Sequence, residues 1–303
     1  MSALAVIAAL LLEQWRPLGD RKGYFTALAN GAEWLERSFN SGEGRHGMVA
    51  WLVGVLPVVA AALAVHYLLL SVNPLLALAF NVGALYCTLG FRQFSHYFTD
   101  LQLAIRSGDL DRARELIGAW RGEPAQHRSR EEVIRLAIEE ALVASHRHVF
   151  GVLFWYVLLP GPSGAIVYRL AVYLRRRWGG LGAFGEFAER AGRLLEWPAV
   201  RLTAASFAVV GDFEDAIYCW RTQASAWRDP DAGVVLAAGA GALGVRLGMP
   251  LTALEGVEVR PELGVGEPAD APFLDGVVGL VWRALVVWLF ALVLLALARA
   301  LPF

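Results

Sequence analysis

Lysine is nearly absent: of the 27 basic residues only Lys22 is a lysine, in the short polar stretch Asp20-Arg21-Lys22-Gly23. Without a GxxxxGK[ST] loop, and with one candidate imine-forming amine, P-loop nucleotide hydrolysis and lysine Schiff-base chemistry are poor assignments. Charge is scarce too, at 18% of 303 residues, against about 25% in a soluble domain. A net charge of −1 offers no concentrated basic surface of the kind nucleic acid requires. The two cysteines, Cys87 in an apolar run and Cys219 in an amphipathic one, cannot build a disulfide framework and read as free thiols. GxSxG and HExxH are missing, which removes the nucleophile elbow and the helical zinc-protease site.

What is present is an excess of apolar residues, 57% of the chain, and it belongs in a membrane. The expected fold is all-α: a polytopic helical membrane bundle with broken or half-spanning helices and a cytoplasmic helical subdomain. Residues 1–47 read as a half-span, Ala3 to Leu12, followed by a membrane-proximal helix with Trp34, Leu35 and Phe39 on one face. The half-span lacks a basic leader and a cleavage site, so it is not a signal peptide. Residues 48–91 read as a transmembrane hairpin turning at Ser71-Val72-Asn73-Pro74, with His66 and Asn81 facing the bundle interior as packing hydrogen-bonders. Residues 92–147 form the soluble subdomain. Leu101, Ala104 and Ile105 share one helix face, Leu110, Ala113, Leu116, Ile117 and Trp120 the next, and a capping box at Ser129/Glu132 opens a third helix. Residues 148–210 hold a broken hairpin and an amphipathic linker. Residues 211–275 hold a helical hairpin, an Ala/Gly-rich helix and a Pro- and acid-rich loop, and 276–303 a last span with Arg283 and Arg299 able to snorkel. The arginine-rich segments before and after the first hairpin lie an even number of spans apart, so both are expected in the cytoplasm at a bacterial inner membrane.

The organising stretch is His146 to Arg177. An apolar segment too short to cross alone breaks at Pro160-Gly161-Pro162 and resumes toward Arg175-Arg176-Arg177. Irregular backbone at membrane depth requires protein or a water-filled cavity around it, so this hairpin is expected to line something. Arg147, Arg169, Arg175, Arg176, Arg177 and Arg201 bracket it, and guanidinium groups bind carboxylate and phosphate in bidentate fashion, which suits a phosphorylated metabolite or an anionic lipid head group; fixing topology is the other role of such arginines. Glu139 lies one helical turn after Arg135, so the pair can face the mouth of the hairpin. His146 and His148, two residues apart, point to different faces and make a poor metal pair beside Glu139 and Glu140; a solvated helix end is the simpler account. Gly239 to Gly244 matches GxGxxG without strand–helix context, so packing is the better reading, as it is for the GxxxG of Gly244 to Gly248. Gly211-Asp212 echoes Gly108-Asp109, and Asp is a common helix cap.

Four stretches carry a family resemblance over nearly the whole chain: Arg106-Ser107-Gly108-Asp109-Leu110-Asp111-Arg112-Ala113-Arg114; Leu153-Phe154-Trp155 followed by Pro160-Gly161 and Tyr168-Arg169; Pro198-Ala199-Val200-Arg201-Leu202; and Ala240-Gly241-Ala242-Leu243-Gly244-Val245-Arg246-Leu247-Gly248. Together they resemble the CobD/CbiB membrane proteins of cobalamin biosynthesis and their relative AmpE, a modulator of β-lactamase induction. The cobalamin branch implies a ligase joining an aminopropanol-type amine to a corrinoid carboxyl with magnesium-ATP. That pattern implies acids and amides where this chain has Val143, Ala144, Arg147, Val172 and Arg175, and a Gly-Arg-Asp-Thr stretch where it has Arg121-Gly122-Glu123-Pro124; Glu139 alone is similar to a family acid. Arg147 before Leu153-Phe154-Trp155, and Glu196-Trp197 before Val200-Arg201-Leu202, resemble the AmpE branch more closely. The resulting expectation is a sensor or modulator that binds an anionic or phosphorylated small molecule through Arg135, Arg147, Tyr168, Arg169, Arg175, Arg201 and Asp212. Glu139 is its candidate catalytic acid, metal ligands are absent, the bilayer is a partner and a homo-oligomer is possible. The alternative is the amide ligase, with acids from Glu139, Asp212, Glu214 and Asp215.

Overall fold

The structure, a computed structural model, describes residues 2–15, 22–253 and 256–300; segment 16–21 and the side chains of Lys22 and Arg299 lie outside the described residues. It is a helical membrane protein. Three described stretches are long and apolar enough to cross a bilayer, Gly44–Val72, Arg130–Leu158 and Pro272–Ala298. The chain divides into two compact units, one drawn from residues 1–90, 151–199 and 296–303 and the other from 91–150 and 200–295.

In the first unit, α1 (Ser2–Trp15) packs on α4 (Pro74–Thr88), and α2 (Lys22–Phe39) on α3 (Gly44–Val72). The 29 residues of α3 extend about 43 Å at the helical rise, ample for a hydrocarbon core of about 30 Å. The 15 residues of α4 reach only about 22 Å, so the return limb of the expected hairpin is shorter than that core is thick. Its start follows the sequence: Pro74 occupies the first turn and the Asn73 side chain accepts the Leu75 N–H at 2.8 Å. His66 and Asn81 are buried as expected, yet His66 Nδ1 and Asn81 Oδ1 find no hydrogen-bond partner among the described residues; the His66 ring packs over Gly161 instead. Leu35 joins the core while Trp34 points outward, which splits the face expected for α2.

The break at 160–162 is real. α8 (Gly151–Leu158) stops before it and α9 (Ser163–Trp178) starts after it, with the Ser163 hydroxyl donating to the Pro160 carbonyl at 2.6 Å. Trp178 and Phe184 meet edge-on at 5.3 Å in a core with Trp51, Val55, Leu170 and Leu174.

In the second unit, α5 (Phe91–Ser107) and α6 (Leu110–Arg121) form the expected helical hairpin, with Leu101, Ala104, Ile105, Ala113 and Ile117 buried. α7 (Arg130–Ser145) opens on the expected capping box: Ser129 Oγ accepts the Glu132 N–H at 3.2 Å, and Glu132 Oε2 accepts the Ser129 N–H at 2.6 Å. Glu132 Oε1 also accepts the Thr252 N–H at 2.5 Å. Ser129→Ala is therefore expected to cost about 1 kcal/mol, and Glu132→Ala clearly more, measured as loss of stability in denaturant titrations.

The expected boundary at 147/148 falls inside a continuous helix, because a π-helical turn, His146–Phe150, joins α7 to α8. What looked like an apolar limb too short to span is thus the end of the 29-residue stretch Arg130–Leu158. His146 is not a solvated helix end: it is buried and its Nδ1 lies 2.9 Å from the Thr203 hydroxyl.

α10 (Glu186–Val210) is followed by α11 (Phe213–Gln223) and α12 (Pro230–Leu243), and α11 packs extensively on α12. The GxGxxG segment closes α12, where a Cβ at Gly241 would strike the Asp215 carbonyl; it serves close packing. Gly244–Gly248 is not a helix contact, because β1 (Val245–Gly248) is a strand between β4 (Glu262–Leu263), antiparallel, and β5 (Glu267–Pro268), parallel. β2 (Leu251–Ala253) pairs antiparallel with β3 (Gly256–Glu258). The expected loop therefore holds short strands, too brief and too rich in Gly, Pro and Glu to show period-two alternation. α13 (Ala271–Ala300) closes the unit, with Trp288 Nε1 donating to Ser206 Oγ at 2.9 Å. Arg283 is exposed and donates back to the Gly279 carbonyl at 3.2 Å.

Candidate functional site: a charged stripe on α7 against the strand module

Glu132, Arg135 and Glu139 are spaced three and four apart and so share one face of α7. All three are buried, and all three reach segment 246–262. Glu139 Oε1 accepts the Gly248 N–H at 2.9 Å and its Oε2 accepts from Arg260 at 2.5 Å. Arg135 donates to the Pro250 carbonyl at 3.1 Å, while Arg128 reaches the Thr252 carbonyl and, at 3.4 Å, Glu258. The Arg260 guanidinium lies 4.7 Å from the centre of the Trp227 ring, a cation–π contact.

Two features mark this cluster as more than packing. A buried Glu–Arg pair is a poor source of net stability, because desolvation offsets its Coulomb attraction. The turn it holds is strained: Met249, with φ of 62°, is the one non-glycine residue with positive φ among the described residues, and such conformations concentrate at functional sites. At the edge of the cluster Arg246 is held loosely. It lies two residues before Gly248 on β1, its side chain is 38% exposed, its NH1 stands 3.7 Å from Glu262, and its Nε is without a hydrogen-bond partner among the described residues.

The expected ligand residues are divided between the two units. Arg135 and Glu139 belong to this cluster. Arg147 pairs at 3.3 Å with Asp229, whose other oxygen caps α12 at the Asp231 N–H. Asp212 is exposed and caps α11 by accepting the Asp215 N–H at 3.0 Å, as Asp109 caps α6 at the Arg112 N–H. Arg201 is half-buried on α10. In the first unit Tyr168 is fully buried against Gly151. Arg175 is committed to Glu189 and Glu196, and Arg177 lies 4.0 Å from Glu36. Arg169 borders an apolar cavity. Arg147, Arg175 and Arg177 thus each stand within 4.0 Å of a carboxylate from another segment of the chain. Arg246 and Arg260 were missed as site residues. Arg246 stood inside a quoted motif, but Arg260 has no local signal because its partner is 121 residues away.

A profile of the CobD/CbiB proteins matches residues 6–281. The chain belongs to the CobD/CbiB family. It is 36% identical over 299 residues to the cobalamin biosynthesis protein CobD of Stutzerimonas stutzeri, covering 95% of this chain and 96% of that protein. The CobD of Chromobacterium violaceum is 37% identical over 229 residues, 74% of this chain and 72% of its own length. That of Mycobacterium tuberculosis is 37% identical over 109 residues, 33% of this chain and 31% of its own. No solved structure matches the chain. The AmpE-like sensor expectation gains nothing here, since these relatives carry the cobalamin name.

Membership raises the question of magnesium. The four carboxylate oxygens of Glu132 and Glu139 each already accept an N–H from the chain. No group of three or more His, Cys, Asp or Glu among the described residues is placed to hold a metal. Magnesium takes oxygen ligands in near-octahedral geometry. These donors do not fit it, and no step is assigned to it.

Proposed function

We propose that this CobD/CbiB protein acts in cobalamin biosynthesis as a membrane-embedded amide ligase, joining an aminopropanol-type amine to a corrinoid carboxyl. Its nearly full-length likeness to the Stutzerimonas stutzeri protein carries this reading. The α7 cluster supports it, because it holds a strained turn beside a loosely paired arginine. In this reading Glu139 fixes Arg260 and the Gly248 N–H, Arg135 fixes the Pro250 carbonyl, and the Gly248–Met249 turn is thereby held in one shape beside Arg246. Arg246 then meets the corrinoid's carboxylate and orients it, a task suited to a planar guanidinium. The arginine-rich segments before and after the first hairpin favour the cytoplasmic side of a bacterial inner membrane by the positive-inside rule.

The test is formation of the condensed amide, detected by mass, when purified protein is given a corrinoid acid, the amine and magnesium-ATP. A folded protein that yields no ATP-dependent product overturns the assignment. Arg246→Gln is expected to raise KM for the corrinoid acid about tenfold to a hundredfold, the loss of one hydrogen bond to a charged group, while leaving the melting temperature nearly unchanged. Arg260→Gln, by contrast, should lower the melting temperature as well.

A further inference from the structure

Joining an amine to a carboxyl brings two opposite charges together, an ammonium and a carboxylate, and Arg246 answers only the second. Groups about to react are held about 3–3.5 Å apart, so a site that gathers both substrates needs a cation and an anion of its own at a similar separation. Arg246 has such a neighbour. Glu262 on β4 stands opposite Gly248 in the register of β1 and β4, and its Oε1 lies 3.7 Å from Arg246 NH1.

Three observations single out Glu262 among the acids around β1. At 3.7 Å the pair is beyond hydrogen-bond reach, so neither charge is locked onto the other. The oxygens of Glu132 and Glu139, by contrast, each accept an N–H, Glu258 is drawn to Arg128 at 3.4 Å, and Asp229 to Arg147 at 3.3 Å. Glu267 on β5 is exposed, but it pairs with Val245 rather than Arg246. Second, the surroundings of the pair are bare. Gly248 across from Glu262 and Gly264 two residues after it carry no side chain to screen it, because a Cβ at either would strike a backbone carbonyl, that of Pro261 or of Val245. Third, the backbone under the exposed side chain is held at both ends. The Met249 N–H donates to the Pro261 carbonyl at 3.1 Å, while the Gln223 side chain accepts the Gly264 N–H at 2.6 Å and donates to the Gly264 carbonyl at 3.2 Å. An ion pair exposed to this degree adds only about 0–1 kcal/mol, so stability does not account for a fixed frame beneath it.

We infer that Glu262 is the amine-recognising residue of the site, holding the ammonium of a short aliphatic amine while Arg246 holds the corrinoid carboxylate. The inference rests on the ligase reading. On binding, the two substrates exchange into the protein's own ion pair, and each charge keeps a partner. A neutral alcohol of the same size would leave Glu262 without one, so the site selects amines.

The experiment measures amide formation by mass with purified full-length protein, varying the amine and the corrinoid acid separately at fixed magnesium-ATP. Glu262→Gln is expected to raise KM for the amine about tenfold, the loss of one charge-assisted contact, with KM for the corrinoid acid and the melting temperature nearly unchanged. Arg246→Gln should show the mirror pattern. On the unaltered protein, dimethylaminopropanol, a tertiary amine that keeps the charge but cannot form the amide, should inhibit at about tenfold lower concentration than methylpentanol, its neutral isostere. An amine KM unchanged in Glu262→Gln, equal rises in both KM values, or equal inhibition by the two analogues would each overturn the assignment. The analogue comparison needs no variant, so it decides the matter should Glu262→Gln not fold. Unaltered protein that forms no amide would instead overturn the ligase reading and this assignment with it.

Discussion

Glu139→Ala is expected to destabilise the protein by about 3–5 kcal/mol, the cost of leaving one member of a buried ion pair without its partner. The substitution strands Arg260, whose side chain is only 9% exposed, and the Gly248 N–H, both of which Glu139 now satisfies. It also frees the turn containing Met249, so the proposed amide formation should fall together with stability. Reversible unfolding of the detergent-solubilised protein measures the first effect. Glu139→Gln separates the contributions: an amide oxygen can still accept the Gly248 N–H, but the ion pair is gone, so an intermediate loss is expected. A double-mutant cycle of Glu139→Ala with Arg260→Met should return a coupling of about 2 kcal/mol or more, because contacting residues in one network are not additive. A loss below about 1 kcal/mol for Glu139→Ala, the value of an exposed pair, would mean that water reaches the cluster and that it does not hold the turn.

The second large effect is expected at the hairpin break. Gly164 stands in the first turn of α9, and a Cβ there would overlap the Trp155 carbonyl oxygen on α8. The obstacle is backbone, which cannot rotate away as a side chain could, so Gly164→Ala must force the two helices apart. Overpacking against yielding side chains costs about 1–3 kcal/mol, and this substitution should reach or exceed the upper figure, read as a collapse in the yield of folded protein. Gly31→Ala is the control. It is also a helical glycine, a Cβ there meets nothing within 4 Å, and alanine's better helix propensity makes a gain of up to about 1 kcal/mol the expected result.

Much of this was legible before any coordinates. The apolar excess and the lengths of its runs place the chain in a membrane, and the Pro160-Gly161-Pro162 break is where α8 and α9 part. The capping boxes and caps at Ser129, Asn73, Asp109 and Asp212 are local hydrogen bonds within three residues, so sequence alone sets them. Family membership was legible in four motifs. The branch was not: Arg147 and Glu196-Trp197 pointed toward a sensor, whereas the relatives point to cobalamin biosynthesis. Short polar motifs do not say whether an arginine is spent on a neighbouring carboxylate or offered to a ligand.

The same limit explains the site. Glu132, Arg135 and Glu139 could be placed on one helix face from their spacing, but what that face meets is segment 246–262, over a hundred residues on. The strands there are too short to announce themselves by alternation. The continuity of α7 into α8 was hidden as well, because the charged His146-Arg147-His148 turn looks like a helix end until the Thr203 hydroxyl and Asp229 supply partners for it. Sequence determined which segments are apolar, where helices start and break, and which family the chain joins, since these follow from local composition and short-range hydrogen bonds. Tertiary structure decided which charges cancel, which arginine is left loosely paired, and where an apolar cavity opens beside Arg169, since each depends on pairs of residues that only folding brings together.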